Sequence, residues 1–420
     1  MPNILIIGGG AAGVATALSI ISLQPNANIE LCERNDRLGG MAHSRTLPNG
    51  EEYNYGVQGV HESFVYSLRM IALAQKINKL IPDPKPASLS AQFMQSTGQY
   101  WNTAGGGSQA FSANEISLFK ELCTEASWAE DVYSLLDITE ACEDNNIEST
   151  LVQQAILPTL ALFFGTGQKQ GAVPASIASQ VFGSEKSTVQ IFDLDYKNFI
   201  TPRANMKALP PLGPVYTALL KLLRNYGVKV TLNCNEVREF SNYDKVIICT
   251  QAEDAIRLLP VGHKAIKVLQ KAEYYNDVTV THTDSDYMTR MFGDSGNFNY
   301  YMRDTSMMGF SVHKYQQLRT PLYQCIYLNT HDVPDDIKTI AVDPWRQFAC
   351  TVQHLEECAL KLPTVQGPHI YFAGSYALVN SHEIAIMSGI RAAQLACGTN
   401  SFPEDIWGLQ NAAYEQFKNL

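Results

Sequence analysis

The hydrophobic pattern of the chain changes period twice within its first sixty or so residues. Ile4-Leu-Ile-Ile7 is an unbroken aliphatic run, Ala11 to Leu23 is an apolar stretch of helical length, and Ile29-Glu-Leu-Cys-Glu33 is a second short run. Strand, helix and strand account for the three, with Pro25 and Asn26 turning the chain before the last, so this part predicts a βαβ unit. From about residue 75 the pattern turns polar and rich in Gly and Ser, then helical. The clearest helix opens at Ser112-Ala-Asn-Glu115, a capping-box spacing ahead of Ile116, Phe119 and Cys123. β-Branched runs return at Val228-Lys-Val-Thr-Leu232 and Lys245-Val-Ile-Ile-Cys249. Strand-like pieces follow at Asp277-Val-Thr-Val-Thr281 and Leu322-Tyr-Gln-Cys-Ile-Tyr327. The last part predicts a strand at His369-Ile-Tyr-Phe372, a helix from Glu383 to Cys397, and one amphipathic helix carrying Ile406, Trp407, Leu409, Tyr414 and Phe417. The expected fold class is α/β. A three-layer Rossmann-like domain with a parallel sheet is assembled from 1–75, 200–260 and 350–420, and an inserted α+β domain from 76–199 and 261–349.

Charge and cysteine usage narrow the partners. The 420 residues carry 31 Lys and Arg against 41 Asp and Glu, a formal net charge of −10 with no basic block, which argues against nucleic acid. The nine cysteines are odd in number and never spaced C-x-x-C, a pattern that fits neither a disulfide framework nor a zinc site. Reduced thiols in a cytoplasmic protein, and no bound metal, are expected. Ile4 to Leu23 is uncharged and long enough to span a bilayer. Three consecutive glycines interrupt it and no Lys or Arg precedes it, so neither a transmembrane segment nor a signal peptide is expected. No feature of the sequence assigns an oligomeric state.

The glycines carry the chemistry. Gly8-Gly9-Gly10-Ala11-Ala12-Gly13 fits G-x-G-x-x-G between a strand and a helix, which is the context a dinucleotide fingerprint requires. Gly8 serves the tight turn, Gly10 the approach of a pyrophosphate, and Gly13 the packing of helix on sheet, with the phosphates at the helix N-terminus. Glu33 ends the second strand where a carboxylate accepts from ribose hydroxyls and repels a 2′-phosphate. Gly105-Gly-Gly-Ser-Gln-Ala110 also satisfies a loose G-x-G-x-x-A, but no buried parallel strand precedes it, and it is expected to be a turn.

The fingerprint alone leaves NAD and FAD both open. Glu33-Arg34 followed by Leu38-Gly39-Gly40-Met41-Ala42 resembles the E-R-x-x-x-x-G-G signature of the amine oxidase, phytoene desaturase and protoporphyrinogen oxidase superfamily of flavoproteins. Three further segments resemble the same family. They are Asn54-Tyr-Gly-Val57-Gln58, then Asn235-Glu-Val237 with the strand leading to Thr250, and Tyr371-Phe-Ala-Gly374-Ser375 with His382-Glu383-Ile384. The resemblance covers about half the chain and implies FAD. The pyrophosphate and ribityl chain would lie along Gly39 and Gly40, adenine against Val237, and the flavin ring beside Val57 and the helix start at Ile384. Three positions depart from the pattern. Asn54 stands where an acid is usual, Ser375 stands where many relatives have an acid, and no Lys occurs between Lys271 and Lys314, where many amine oxidases place one near the flavin.

Gln58, His61 and His382 are the candidate catalytic side chains, since they lie within or beside the cofactor segments; His43 lies nearby. Asp284 and Asp286 read as a turn. The Met- and aromatic-rich set Met288, Met291, Phe292, Phe298, Tyr300, Tyr301, Met302, Met307, Met308 and Phe310 reads as core, with a pocket for an apolar substrate as the alternative. The expected function is an FAD-dependent oxidoreductase that takes a hydride from a C–H bond of an apolar small molecule, with oxygen or another acceptor completing the cycle. The alternative is a redox-neutral double-bond isomerase, because the chain also looks similar to bacterial polyenoic fatty acid isomerases. A further alternative is a non-catalytic flavin-binding module.

Overall fold

The computed structural model describes residues 1–108, 111–128, 135–164, 169–183, 187, 189–234, 239–293 and 297–419. Five parallel strands form the first sheet: β1 (Asn3–Ile7), β2 (Asn28–Cys32), β3 (Lys229–Thr231), β4 (Lys245–Ile248) and β5 (Ile370–Phe372), in the order β3-β2-β1-β4-β5. Helices α1 (Ala11–Leu23), α2 (Val65–Ile77), α3 (Leu212–Asn225) and α4 (His382–Ala396) accompany it. Strand alternation decides which side each residue serves. Ile4, Ile6 and Ile247 share a core with Val14 and Leu18 of α1 and Ile386 and Ile390 of α4. Leu5, Val246 and Ile248 join Ala252 and Ala255 of a helix on the other side. Covering both faces is what uninterrupted aliphatic strands demand, and it yields the expected three layers. The uncharged stretch from Ile4 to Leu23 is split into β1 and a helix of 13 residues; among the described residues no helix is long and apolar enough to cross a membrane.

The second sheet has seven strands in the spatial order Thr339–Phe348, Tyr274–His282, Tyr323–Tyr327, Met307–Phe310, Tyr300–Arg303, Ala91–Met94, Tyr100–Asn102. Neighbours are antiparallel except Tyr300–Arg303 beside Ala91–Met94. Thr281 stands opposite Gln324, Thr279 opposite Ile326, and Phe310 opposite Gln324, so these residues share one face. Of the Met-rich set, Met288, Phe292, Phe298, Tyr301 and Met307 form a small core of their own, while Phe310 faces the cavity described below.

Several local expectations hold. Glu115 N–H donates to Ser112 Oγ (3.2 Å) and Ser112 N–H to Glu115 Oε2 (2.8 Å), the reciprocal capping box. The turn expected at Asp284 and Asp286 is corrected: Asp284 caps the helix Ser285–Phe292 through the Tyr287 N–H (2.9 Å), and Asp286 lies in the first turn of that helix. Gly105 and Gly106 turn the chain after Tyr100–Asn102, with Asn102 N–H donating to the Gly106 carbonyl; Gln109 and Ala110 lie outside the described residues. The single C-terminal amphipathic helix is corrected. Gly408, at φ +79°, breaks it into Glu404–Trp407 and Ala412–Asn419, and Leu409 is 80% exposed rather than on a buried face.

Candidate functional site

The two glycine segments meet. Gly8 adopts φ +104°, and a Cβ there would stand 2.6 Å from the Cys249 carbonyl oxygen, so only glycine fits the turn leaving β1. Gly39 N–H donates to the Gly9 carbonyl (2.9 Å) and Gly39 bridges Gly10, which joins the segments into one wall. At Gly10 a Cβ would meet no atom within 4 Å; it would project into open space. Beyond Gly10, α1 begins with neither a side-chain cap nor an acidic residue in its first turn. The N–H groups of Ala11, Ala12 and Gly13 have no protein partner among the described residues. Unpaired donors and a positive helix end beside an open cradle suit a pyrophosphate.

Glu33, 5% exposed, orders this end. Its Oε2 accepts from Gly9 N–H (2.7 Å) and its Oε1 from the backbone and side-chain nitrogens of Asn35 (2.8 and 2.7 Å). Oε1 is filled by the two Asn35 bonds, and Oε2 keeps one acceptor site for a ribose hydroxyl. Arg34 reaches the rim, paired with Asp254 at 3.0 Å. Val237 lies outside the described residues.

At the other end, Ser381 Oγ accepts from Ile384 N–H (3.0 Å) and caps α4. The Ile384 donor is therefore taken. The N–H groups of His382 and Glu383 are the ones without a protein partner among the described residues. Gly374 N–H donates to Ser388 Oγ (2.9 Å), which fixes the turn that presents Ser375. One cavity of about 1590 Å³ is lined by Gly8, Gly10, Ala11, Ala12, Glu33, Arg34, Gly39, Gly40, Met41, Ala42, Val57, Gln58, His61, Thr250, Gly374, Ser375, His382, Glu383 and Ile384. The same cavity is lined by Leu162, Phe163, Ile177, Phe310, Ile326 and Leu355 of the second part. The volume exceeds the roughly 300–1,000 Å³ of a pocket for one small molecule, leaving room for a dinucleotide and a second molecule.

Comparison with known proteins bears on the fold. The model of the NAD(P)-binding Rossmann-like domain matches residues 6–76. Cyclohexylamine oxidase from Brevibacterium oxydans IH-35A superposes with a TM-score of 0.64 at 14% identity, over 94% of this chain and 99% of that one. A CLA-producing fatty acid isomerase from P. acnes gives 0.62 at 14% identity, over 92% and 97%, and reduced UDP-galactopyranose mutase gives 0.61 at 14%, over 100% and 99%. No curated protein matches the chain in sequence. The chain shares its overall fold with these solved structures. Within that fold Asn54 has a local reason to differ from the usual acid. Its Nδ2 donates to the Leu209 and Pro210 carbonyls (3.3 and 3.0 Å) and its Oδ1 accepts from Leu212 N–H (2.9 Å) at the start of α3. A carboxylate could not make the first two bonds.

The fold brings the three catalytic candidates to the cavity wall in different states. His61 Nδ1 accepts from the Ser63 N–H (3.1 Å), so the neutral ring carries its proton on Nε2, and burial holds its pKa below the usual value. His382 has both nitrogens engaged, Nε2 with Tyr216 OH (2.7 Å) and Nδ1 with Ser67 Oγ (3.0 Å), and burial lowers its pKa to about 4. That ring has no nitrogen left to exchange a proton with a ligand. Glu383 turns away to cap α2, accepting from Tyr66 N–H (2.9 Å) and Ser67 N–H (2.7 Å), while burial pushes its carboxyl up to about 7. Gln58 is held between Gln316 and Gln324. Gln316, Gln324 and Asp277 carry no sequence motif. The visible signal was a polar residue inside each of two strand runs, Gln324 among Tyr, Cys and Ile, and Asp277 before Val-Thr-Val. Among the described residues no group of His, Cys, Asp and Glu forms a metal site, and none of the nine cysteines is in a disulfide.

Proposed function

We propose that this protein binds FAD and removes a hydride from a C–H bond of an apolar small molecule. The observation that carries the reading is continuity: the cavity that holds the paired glycine segments and the start of α4 also opens on the apolar lining of Leu162, Phe163, Ile177, Phe310, Ile326 and Leu355. Bound flavin supplies a hydride acceptor there. The N–H groups of Ala11 and Ala12 would hold the pyrophosphate, Glu33 Oε2 would accept from one ribose hydroxyl without losing its grip on Gly9 and Asn35, and Ser375 would give the ribityl chain one hydroxyl partner. The unpaired N–H groups of His382 and Glu383 would be the donors to a bound flavin ring, and Val57 and Gln58 line the cavity with them. The apolar chamber positions the substrate and keeps water from it. Among the described residues no lysine lines the cavity, which speaks against the lysine-assisted amine chemistry expected of many relatives.

One observation favours redox-neutral double-bond isomerisation as a second reading. Among the described residues the Gly105–Gly106 segment is a hairpin turn and builds no second dinucleotide site to feed or drain electrons there, and a hydride returned to the same substrate needs none. The test is the visible spectrum of the purified protein followed by anaerobic addition of linoleate. Flavin bands that stay bleached support oxidation, and a conjugated-diene band with the flavin bands retained supports isomerisation. A colourless protein that cannot be reconstituted with FAD overturns both.

A further inference from the structure

Three glutamines form a directional hydrogen-bond chain where the two parts of the cavity join. The direction is set at Gln316, whose Oε1 accepts from the Asn54 N–H (2.8 Å) and whose Nε2 donates to the Asn54 carbonyl (2.9 Å). A backbone N–H only donates and a backbone carbonyl only accepts, so this amide has one orientation. Gln316 Nε2 also donates to Gln58 Oε1 (3.1 Å), which turns Gln58 Nε2 toward Gln324 Oε1 (2.6 Å). Gln324, fully buried, ends the chain by donating from Nε2 to Thr281 Oγ1 (3.1 Å). An amide nitrogen carries two N–H groups. Gln58 spends one on Gln324, and the other has no acceptor among the described residues, although the residue is only half-buried and lines the cavity.

Charge around the chain points the same way. The acidic residues lining the cavity are Glu33, Asp254 and Glu383, and each belongs to the dinucleotide groove: beside Gly9, between Arg34 and Arg257, and on α4. Among the described residues no carboxylate lines the apolar chamber. An ammonium placed there would lose its hydration, find no counter-charge, and meet an N–H donor rather than an acceptor.

We infer that Gln58, held by Gln316 and Gln324, is a specificity-determining donor that selects an apolar substrate bearing an oxygen acceptor (carboxylate, carbonyl or hydroxyl) over an amine. The inference rests on the reading of the chamber as the substrate site. Gln316 and Gln324 are its positioning residues. The test is calorimetric binding of linoleate and of linoleylamine, both below their micelle concentrations, to the FAD-loaded protein. The native protein binds linoleate about tenfold more tightly, the worth of one good hydrogen bond. Gln58→Glu keeps the shape, removes the donor and adds a negative charge, so the preference reverses. Gln324→Leu leaves Gln58 in place but unlocks its amide, so the preference shrinks without reversing. A merely structural role would weaken both probes together. Equal binding of the two probes by the native protein and both variants overturns the inference and leaves the chamber reading intact. A changed flavin spectrum in Gln58→Glu with an unchanged preference overturns it too, because the donor would then serve the flavin. Binding of neither probe removes the chamber reading, and the inference with it.

Discussion

Asp277 shows how one buried side chain can set a pH dependence. It is 2% exposed, its Oδ2 accepts from Gln347 Nε2 (2.8 Å), and its Oδ1 has no partner. Burial therefore pushes its carboxyl up to about 6 from an ordinary 3.8. The folded state binds this proton more tightly than the unfolded chain, so the associated stability is complete below pH 3.8 and is lost as pH rises through about 6. A shift of about two units corresponds to at most about 3 kcal/mol. Urea unfolding at pH 4 and pH 8 should show that loss in the native protein and a flatter profile in Asp277→Asn, whose amide is neutral throughout; parallel profiles would refute it. Gln324 was not legible as a cavity residue, nor Asp277 as a buried acid, because their meaning lies in register. Thr281 faces Gln324 across 43 residues of sequence, and Asp277 faces Trp345. Gly8, Gly10 and Glu33 were legible because the constraints on them are local: a left-handed turn, an open cradle and a strand end.

At the scale of elements, the site depends on helices fastened to one another near their ends. α1 and α4 cross so closely that a Cβ on Gly389 would collide with the Ala12 carbonyl, and Thr16 Oγ1 bonds to the carbonyls of Ala12 (2.8 Å) and Gly389 (3.2 Å). Glu383 then ties α4 to α2 by accepting two of the N–H groups that the start of α2 leaves open. Glu383→Ala leaves both donors buried without acceptors, and a loss of about 2 kcal/mol is expected in thermal or denaturant unfolding. A loss within about 0.5 kcal/mol of zero would mean that water replaces the carboxylate. Helix α4 itself was legible from its apolar spacing. Its capping of α2 was not, because the partner lies 316 residues away for Ser67. The C-terminal helix failed for a simpler reason: periodicity across Ile406 to Phe417 suggested one helix, and Gly408 ended it with a positive φ.

For the whole molecule, the proposed dinucleotide groove is a junction of segments distant in sequence. It draws on the turn after β1, the stretch from Glu33 to Ala42, Thr250 after β4, and the loop and helix after β5. These ends converge because a parallel sheet with the order β3-β2-β1-β4-β5 places the carboxyl ends of all its strands on one side. A ligand across that edge contacts all of them at once and binds nothing comparable in the unfolded chain, so its binding energy adds to folding stability. At a thousandfold excess over the dissociation constant the gain is about 4 kcal/mol. Stripping FAD from the protein should therefore lower its melting temperature by several degrees, and titrating FAD back should restore it in a saturable way. Glu33→Ala separates the two tasks of that carboxylate. Losing its bonds to Gly9 and Asn35 lowers the melting temperature of the stripped protein, and losing the ribose contact moves the FAD-dependent rise to about tenfold higher FAD. A melting temperature indifferent to FAD in the native protein would remove the dinucleotide from this edge. A rise that begins at the same FAD concentration in Glu33→Ala would leave the carboxylate with its loop-holding task alone.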